Sequence, residues 1–146
     1  MTQLSYDLSY LSDPGVFAVN RLPAYSDHDC YQTAAEAQAE ASGLRCSLNG
    51  QWKFSYAETV SARPVGFQAP DFDDSRWAEI AVPGHLQLQG YGEPQYVNIQ
   101  YPWDGHEALR PPEIPKERNP VGSYIRWFEL PPSFAGKRVT VTFHGV

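Results

Sequence analysis

The chain has 146 residues and a formal charge of −6, with 42% hydrophobic and 14% aromatic side chains, 13 prolines and 11 glycines. This composition excludes a disordered chain and favours short strands and turns over long helices, while the scattered Lys and Arg residues give no field for gathering nucleic-acid phosphates. The opening MTQLSYDLSYL has no basic n-region and no long apolar run, which argues against a signal peptide, a spanning helix or a membrane partner. A cytoplasmic location is therefore expected. In a reducing compartment Cys30 and Cys46 read as small buried or idle thiols instead of a disulfide, and they lack the number and spacing of a zinc site.

Residues 1 to about 32 show neither helical nor strand period and read as an arm laid over another surface. Thr33 then opens TAAEAQAEASG: Thr33 caps, Glu36 completes a capping box and Gly43 stops one short helix. From Leu48 the period becomes two, with Trp52, Phe54 and Tyr56 on one face and Gln51, Lys53 and Ser55 on the other, which predicts a half-buried strand. FDDSRW reads as a surface turn leading to a buried Trp77. Arg110 to Pro120 holds four prolines and predicts an irregular, semi-rigid excursion. Tyr124 to Phe128 is apolar on both faces apart from Arg126, and Val139, Val141 and Phe143 alternate with Thr140, Thr142 and His144; both predict strands. Together they imply a mainly β chain built as a sandwich. The domain reading is an arm with a short helix over residues 1–46 and the first part of a sandwich over 47–146.

Between these elements lies VPGHLQLQGYGEPQYVNIQYP, Val82 to Pro102, whose Gly, Pro and aromatic placement marks a rigid functional loop. Tyr91, Tyr96 and Tyr101 can anchor it by burial, or stack with Trp103 on a sugar face. Gln87, Gln89, Gln95, Asn98 and Gln100 both donate and accept hydrogen bonds, which is also the pattern of a sugar hydroxyl.

That run, with GVFAVNRLPAYSDH, SLNGQWKFSYAE, FDDSRWAEIAVPGH, ERNPVGSYIRWFELP and RVTVTFHGV in the same order, resembles the N-terminal part of the bacterial β-galactosidases of glycoside hydrolase family 2. The resemblance covers most of the chain from about Pro14 and implies a jelly-roll β-sandwich of the galactose-binding-like type that continues beyond Val146. The alternating pattern at the C-terminus is accordingly read as incomplete. If that end exposes ~400 Å² of apolar surface, the loss at about 25 cal/mol per Å² is ~10 kcal/mol, comparable to the roughly 5 to 15 kcal/mol of a whole domain. The isolated chain is expected to be unstable, partly disordered or associated.

Retaining glycosidases need two carboxyl groups, one as nucleophile and one as acid and base. Asp71, Asp73, Asp74, Glu93, Glu113 and Glu117 lie in turn-like segments and read as surface acids. The resemblance places both catalytic glutamates in a downstream barrel, so no residue here is expected to be catalytic. The family's loop motif Tyr-x-Asn-x-x-Tyr-Pro is matched by Tyr96, Asn98, Tyr101 and Pro102, and the resemblance implies that Asn98 hydrogen-bonds the galactosyl unit. Read without it, Asn98 also fits an asparagine satisfying backbone groups in a turn. Some relatives hold Mg²⁺ near a Pro-Gly turn in the arm. Asp13, Pro14, Gly15 and Val16 keep part of that arrangement, but Tyr10 stands where the relatives have an acid, so no metal ligand is assigned. His28, His85, His106 and His144 are widely spaced and form no metal-ligand pair. By resemblance Mg²⁺ and Na⁺ serve the parent enzyme, with ligands mainly downstream.

The expected function is thus the N-terminal sugar-binding portion of a β-galactosidase that hydrolyses terminal non-reducing β-D-galactosides in lactose catabolism. Its partners would be the β-galactoside, the remaining domains and further copies in a homo-oligomer. The alternatives are a non-catalytic carbohydrate-binding module and a purely structural assembly segment.

Overall fold

The structure is a computed structural model that describes residues 8–24, 28–94, 98, 103 and 105–145. The chain divides into two compact units, one of Met1–Leu22 and Gly50–Ile125, the other of Pro23–Asn49 and Arg126–Val146. Strand is the principal regular structure, and the helical segments are single turns or little more.

In the first unit, β1 (Gly50–Ala57) lies between β2 (Ala78–Val82) and β3 (Val121–Ile125) in an open antiparallel sheet of order β2-β1-β3. The alternation that predicted β1 sets its faces. Phe54 is buried and Trp52 and Tyr56 are half-buried, with Ile80 opposite Trp52 and Tyr124 opposite Phe54. On the other face Lys53 stands opposite Glu79 and pairs with it at 3.3 Å. Such a solvated pair adds about 0 to 1 kcal/mol and mainly favours this register. Phe54, Ala57 and Ile80 are the buried hydrophobic side chains among the described residues, joined by the buried Ser123, which faces Ser55.

Phe54 is the centre of the aromatic packing on its face of the sheet. Its ring lies 4.8 Å from that of Tyr124 and 4.6 Å, edge-on, from that of Tyr91. Space for it exists because Gly122 has no side chain: a Cβ there would stand 2.9 Å from Phe54 Cε2 and 3.1 Å from Tyr124 Cε2. This explains where β3 falls. The apolar run predicted a strand over Tyr124 to Phe128, but the ladder occupies Val121–Ile125, where glycine and serine fit against β1, and Trp127 and Phe128 are exposed.

Before β2, FDDSRW forms the expected turn: Asp73 Oδ1 accepts from Ser75 N at 3.0 Å, and Trp77 N donates to Asp74 O at 3.0 Å. Hydrogen bonds from the Ser75 side chain and backbone hold the Asp73 carboxyl below the usual carboxylate range. Trp77 is half-buried instead of buried, with Phe67 and Phe72 each 5.6 Å from its ring.

In the second unit, Thr33 caps α1 (Ala34–Gln38) by accepting from Glu36 N at 3.1 Å. The Glu36 carboxylate does not return to Thr33 N, as a closed capping box would require. It accepts from Gln32 N at 3.0 Å and Gly43 N at 3.4 Å instead. The helix ends well before Gly43, and Glu40 adopts a left-handed backbone with φ 51°. Ser133 Oγ donates to Gly43 O at 2.6 Å, Ser42 Oγ donates to Cys30 O, and Arg45 pairs with Asp29. Cys30 and Cys46 are free and exposed.

The strand expected over residues 139–143 is not formed. No strand is assigned there, and Val139, Val141 and Phe143 are exposed. Alternation specifies a strand only when a neighbouring ladder and a covering layer take up its backbone and its apolar face.

The proline-rich excursion is irregular, as expected, and a carboxylate orders it. Glu107 accepts from three successive backbone amides, those of Lys116, Glu117 and Arg118, at 3.2, 3.4 and 3.4 Å, while Glu113 accepts from Arg110 N at 2.9 Å. The Lys116 amide chiefly, with those of Arg118 and Glu117, holds the Glu107 carboxyl below its ordinary range.

Three outcomes follow for folding. Phe54→Ala should lower the unfolding free energy by about 3–5 kcal/mol, and Gly122→Ala, by overpacking the same rings, by about 1–3 kcal/mol; urea titration reads both. Because the Glu107 pKa is depressed on folding, its contribution is present above the ordinary glutamate range and is lost as pH falls through the depressed value. Amide-exchange protection at Lys116, Glu117 and Arg118 should therefore fall on acidification, and Glu107→Gln should remove that pH dependence.

Candidate functional site

The loop after β2 begins with a turn at Pro83 and Gly84, and residues Leu86–Gln89 form one 3-10 turn. Gly90 stops that turn with φ 93°, a left-handed conformation that glycine adopts without a Cβ clash, and its N–H donates to Gln87 O at 3.3 Å. Tyr91 N donates to Leu86 O at 3.1 Å. The Tyr91 side chain then turns back onto the sheet, with its ring 4.6 Å from Phe54 and 5.9 Å from Tyr56. At Gly92, φ 67°, a Cβ would stand 2.9 Å from Tyr56 Oη, so the backbone passes close beside that hydroxyl. Burial first, then the charges of Glu58 and Glu93, raises the Tyr56 pKa, and the phenol stays protonated and able to donate.

At the end of the 3-10 turn, the Gln89 side chain is bonded at both ends. Its Oε1 accepts from Ala81 N at 2.8 Å and its Nε2 donates to Ala81 O at 3.0 Å. Sequence reasoning grouped Gln89 with amides suited to sugar hydroxyls, but the fold gives it a backbone partner. Downstream, His106 N donates to Trp103 O at 3.0 Å, Gly105 has φ 80°, and Glu107 gathers its three amides. Side-chain-to-backbone clusters thus lie before and after the amide-rich stretch in sequence.

Asn98, the residue to which the loop motif points, is exposed and lies in a bend. Its motif companions Tyr96, Tyr101 and Pro102, and the amides Gln95 and Gln100, lie outside the described residues. Of the three tyrosine anchors, Tyr91 is half-buried against the sheet, while Tyr96 and Tyr101 share that exclusion. Several acids have structural work here: Asp73, Glu107 and Glu113 each accept from loop backbone. Neither Gln89 nor Glu107 carries a motif that sequence reading could have found, because each acts on a backbone group that only the fold brings near.

In the arm, Asp13 Oδ1 accepts from Gly15 N at 2.8 Å and Asp13 O accepts from Val16 N at 3.0 Å. The carboxylate thereby closes its own turn. Among the described residues no group of three or more His, Cys, Asp or Glu side chains could hold a metal ion. Among the described residues no helix is long and apolar enough to cross a membrane.

Comparison with known proteins places this geometry. The β-galactosidase of Halalkalibacterium halodurans is 54% identical over 141 residues, which cover 96% of this chain and 14% of that protein. That of Lactobacillus delbrueckii subsp. bulgaricus is 49% identical over 139 residues, covering 95% and 14%, and the β-galactosidase large subunit of Leuconostoc lactis is 43% identical over 152 aligned positions, covering 96% and 24%. The chain therefore spans 14% to 24% of the length of these curated relatives. The sugar binding domain of the glycosyl hydrolases family 2 matches residues 45–146, which include all three strands and the amide loop. On the strength of that match, this chain belongs to glycosyl hydrolase family 2 and carries its sugar binding domain.

Proposed function

We propose that the chain is the N-terminal sugar-binding portion of a β-galactosidase that hydrolyses terminal non-reducing β-D-galactosides, lactose among them, in carbohydrate catabolism. The observation that carries this reading is the near-complete coverage of the chain by β-galactosidases at 43% to 54% identity, through a loop in which Gln87 and Asn98 are exposed. In this reading Asn98 contacts the galactosyl unit. A short amide can pair a hydroxyl as donor and acceptor, and a short side chain loses little conformational freedom on binding.

The carboxyl pair of a retaining glycosidase, about 5 to 5.5 Å apart, belongs to other parts of the polypeptide in this assignment. Residues of this chain position and bind, and none is given the part of nucleophile or acid. The Mg²⁺ and Na⁺ of the parent enzyme are likewise assigned to ligands elsewhere. A jelly-roll topology, a cytoplasmic location and a homo-oligomer complete the proposal. Support for subunit contacts comes from the first described residues, where Leu8, Tyr10, Leu11, Phe17, Val19 and Leu22 are all exposed.

In the complete β-galactosidase carrying this segment, Asn98→Ala should lower kcat/KM for a β-galactoside by about tenfold or more, each tenfold being ~1.4 kcal/mol of transition-state stabilisation. Thermal unfolding should be unchanged. Unaltered kinetics would remove Asn98 from the site. Saturable galactose-induced NMR shifts around Asn98 in the chain alone, with a catalytically inert complete polypeptide, would instead identify a binding module.

A further inference from the structure

Among the described residues β2 is an edge strand, with β1 as its one neighbour in the sheet. At Ala81 the edge is closed by a side chain: the Gln89 carboxamide presents an acceptor and a donor at 2.8 and 3.0 Å, the two bonds a fourth strand would otherwise offer. Gly84 makes room for it. A Cβ on Gly84 would lie 2.7 Å from Gln89 Nε2 and 3.0 Å from Ala81 O. Gly90 and Tyr91 follow Gln89 directly, so the clamp sits where the amide loop leaves the sheet. The Tyr91 contact with Phe54 adds apolar burial at the same point, a term that is itself non-directional. Two hydrogen bonds to one residue set both direction and register.

We propose that Gln89 is a positioning residue for the galactoside site, acting through the placement of Asn98. This inference rests on the assignment of Asn98 to substrate contact. Gln89 touches no reacting atom; it fixes the origin of the loop, and an error of about 1 Å in the placement of a binding group can cost roughly a hundredfold in rate.

The test uses the complete β-galactosidase carrying the segment. Gln89→Ala should lower kcat/KM about tenfold to a hundredfold, and amide exchange at Ala81 should accelerate. The double variant Gln89→Ala/Asn98→Ala should be no worse than Asn98→Ala alone, because one residue acts through the other. Gly84→Ala, which displaces the carboxamide without removing it, should reproduce the Gln89→Ala loss. Gln89→Glu sets a carboxylate against Ala81 O and regains the donor on protonation, so its activity relative to the unsubstituted enzyme should rise as pH falls. Unchanged kcat/KM in Gln89→Ala, unchanged exchange at Ala81, or losses that simply add in the double variant would each overturn the proposal while leaving Asn98 in the site. An Asn98→Ala enzyme with unaltered kinetics would overturn both.

Discussion

The burial of Phe54 is the constraint on which the described fold of the sheet unit depends. One ring joins three sequence-distant segments: its own central strand, β3 through Tyr124, and the amide loop through Tyr91. With so few buried apolar side chains among the described residues, the sheet cannot distribute that task over a broad core. Burying an aromatic side chain contributes about 1.5–3 kcal/mol, and edge-on or tilted ring pairs add about 0.5–1.5 kcal/mol each. The loop that carries the candidate sugar contact is therefore coupled to the sheet's own stability.

Polar anchors complement this apolar one. Gln89 and Glu107 bind backbone groups at the two ends of the amide loop, and each satisfies donors or acceptors that an irregular segment would leave to water. Ring packing contributes non-directional apolar burial, and the hydrogen bonds add direction. Asn98 stands exposed between these anchors in sequence.

Much of the sheet was legible in the sequence. Trp52, Phe54 and Tyr56 announce β1 through a period of two, and Thr33 with Glu36 announces α1 through cap chemistry. What was not legible depends on tertiary neighbours. Gly122 and Ser123 have low strand propensity, which drew the expected strand towards Tyr124 to Phe128, yet their smallness is what the packed ring and the facing Ser55 require. The alternation at Val139, Val141 and Phe143 has the right local pattern, but its side chains are exposed and no strand forms. Likewise the amides of the loop read alike in sequence, and only the fold separates Gln89, which grips Ala81, from the exposed Asn98.

The placement of the tryptophans has an optical consequence. Trp52, Trp77 and Trp103 belong to the sheet-bearing unit and are half-buried, Trp77 between two phenylalanine rings, whereas Trp127 belongs to the other unit and is 61% exposed. The protein thus carries a native fluorophore for each unit, distinguishable by how readily an aqueous quencher reaches it. Emission from the shielded indoles reports on the sheet, while the accessible one reports on its own surroundings without any added label.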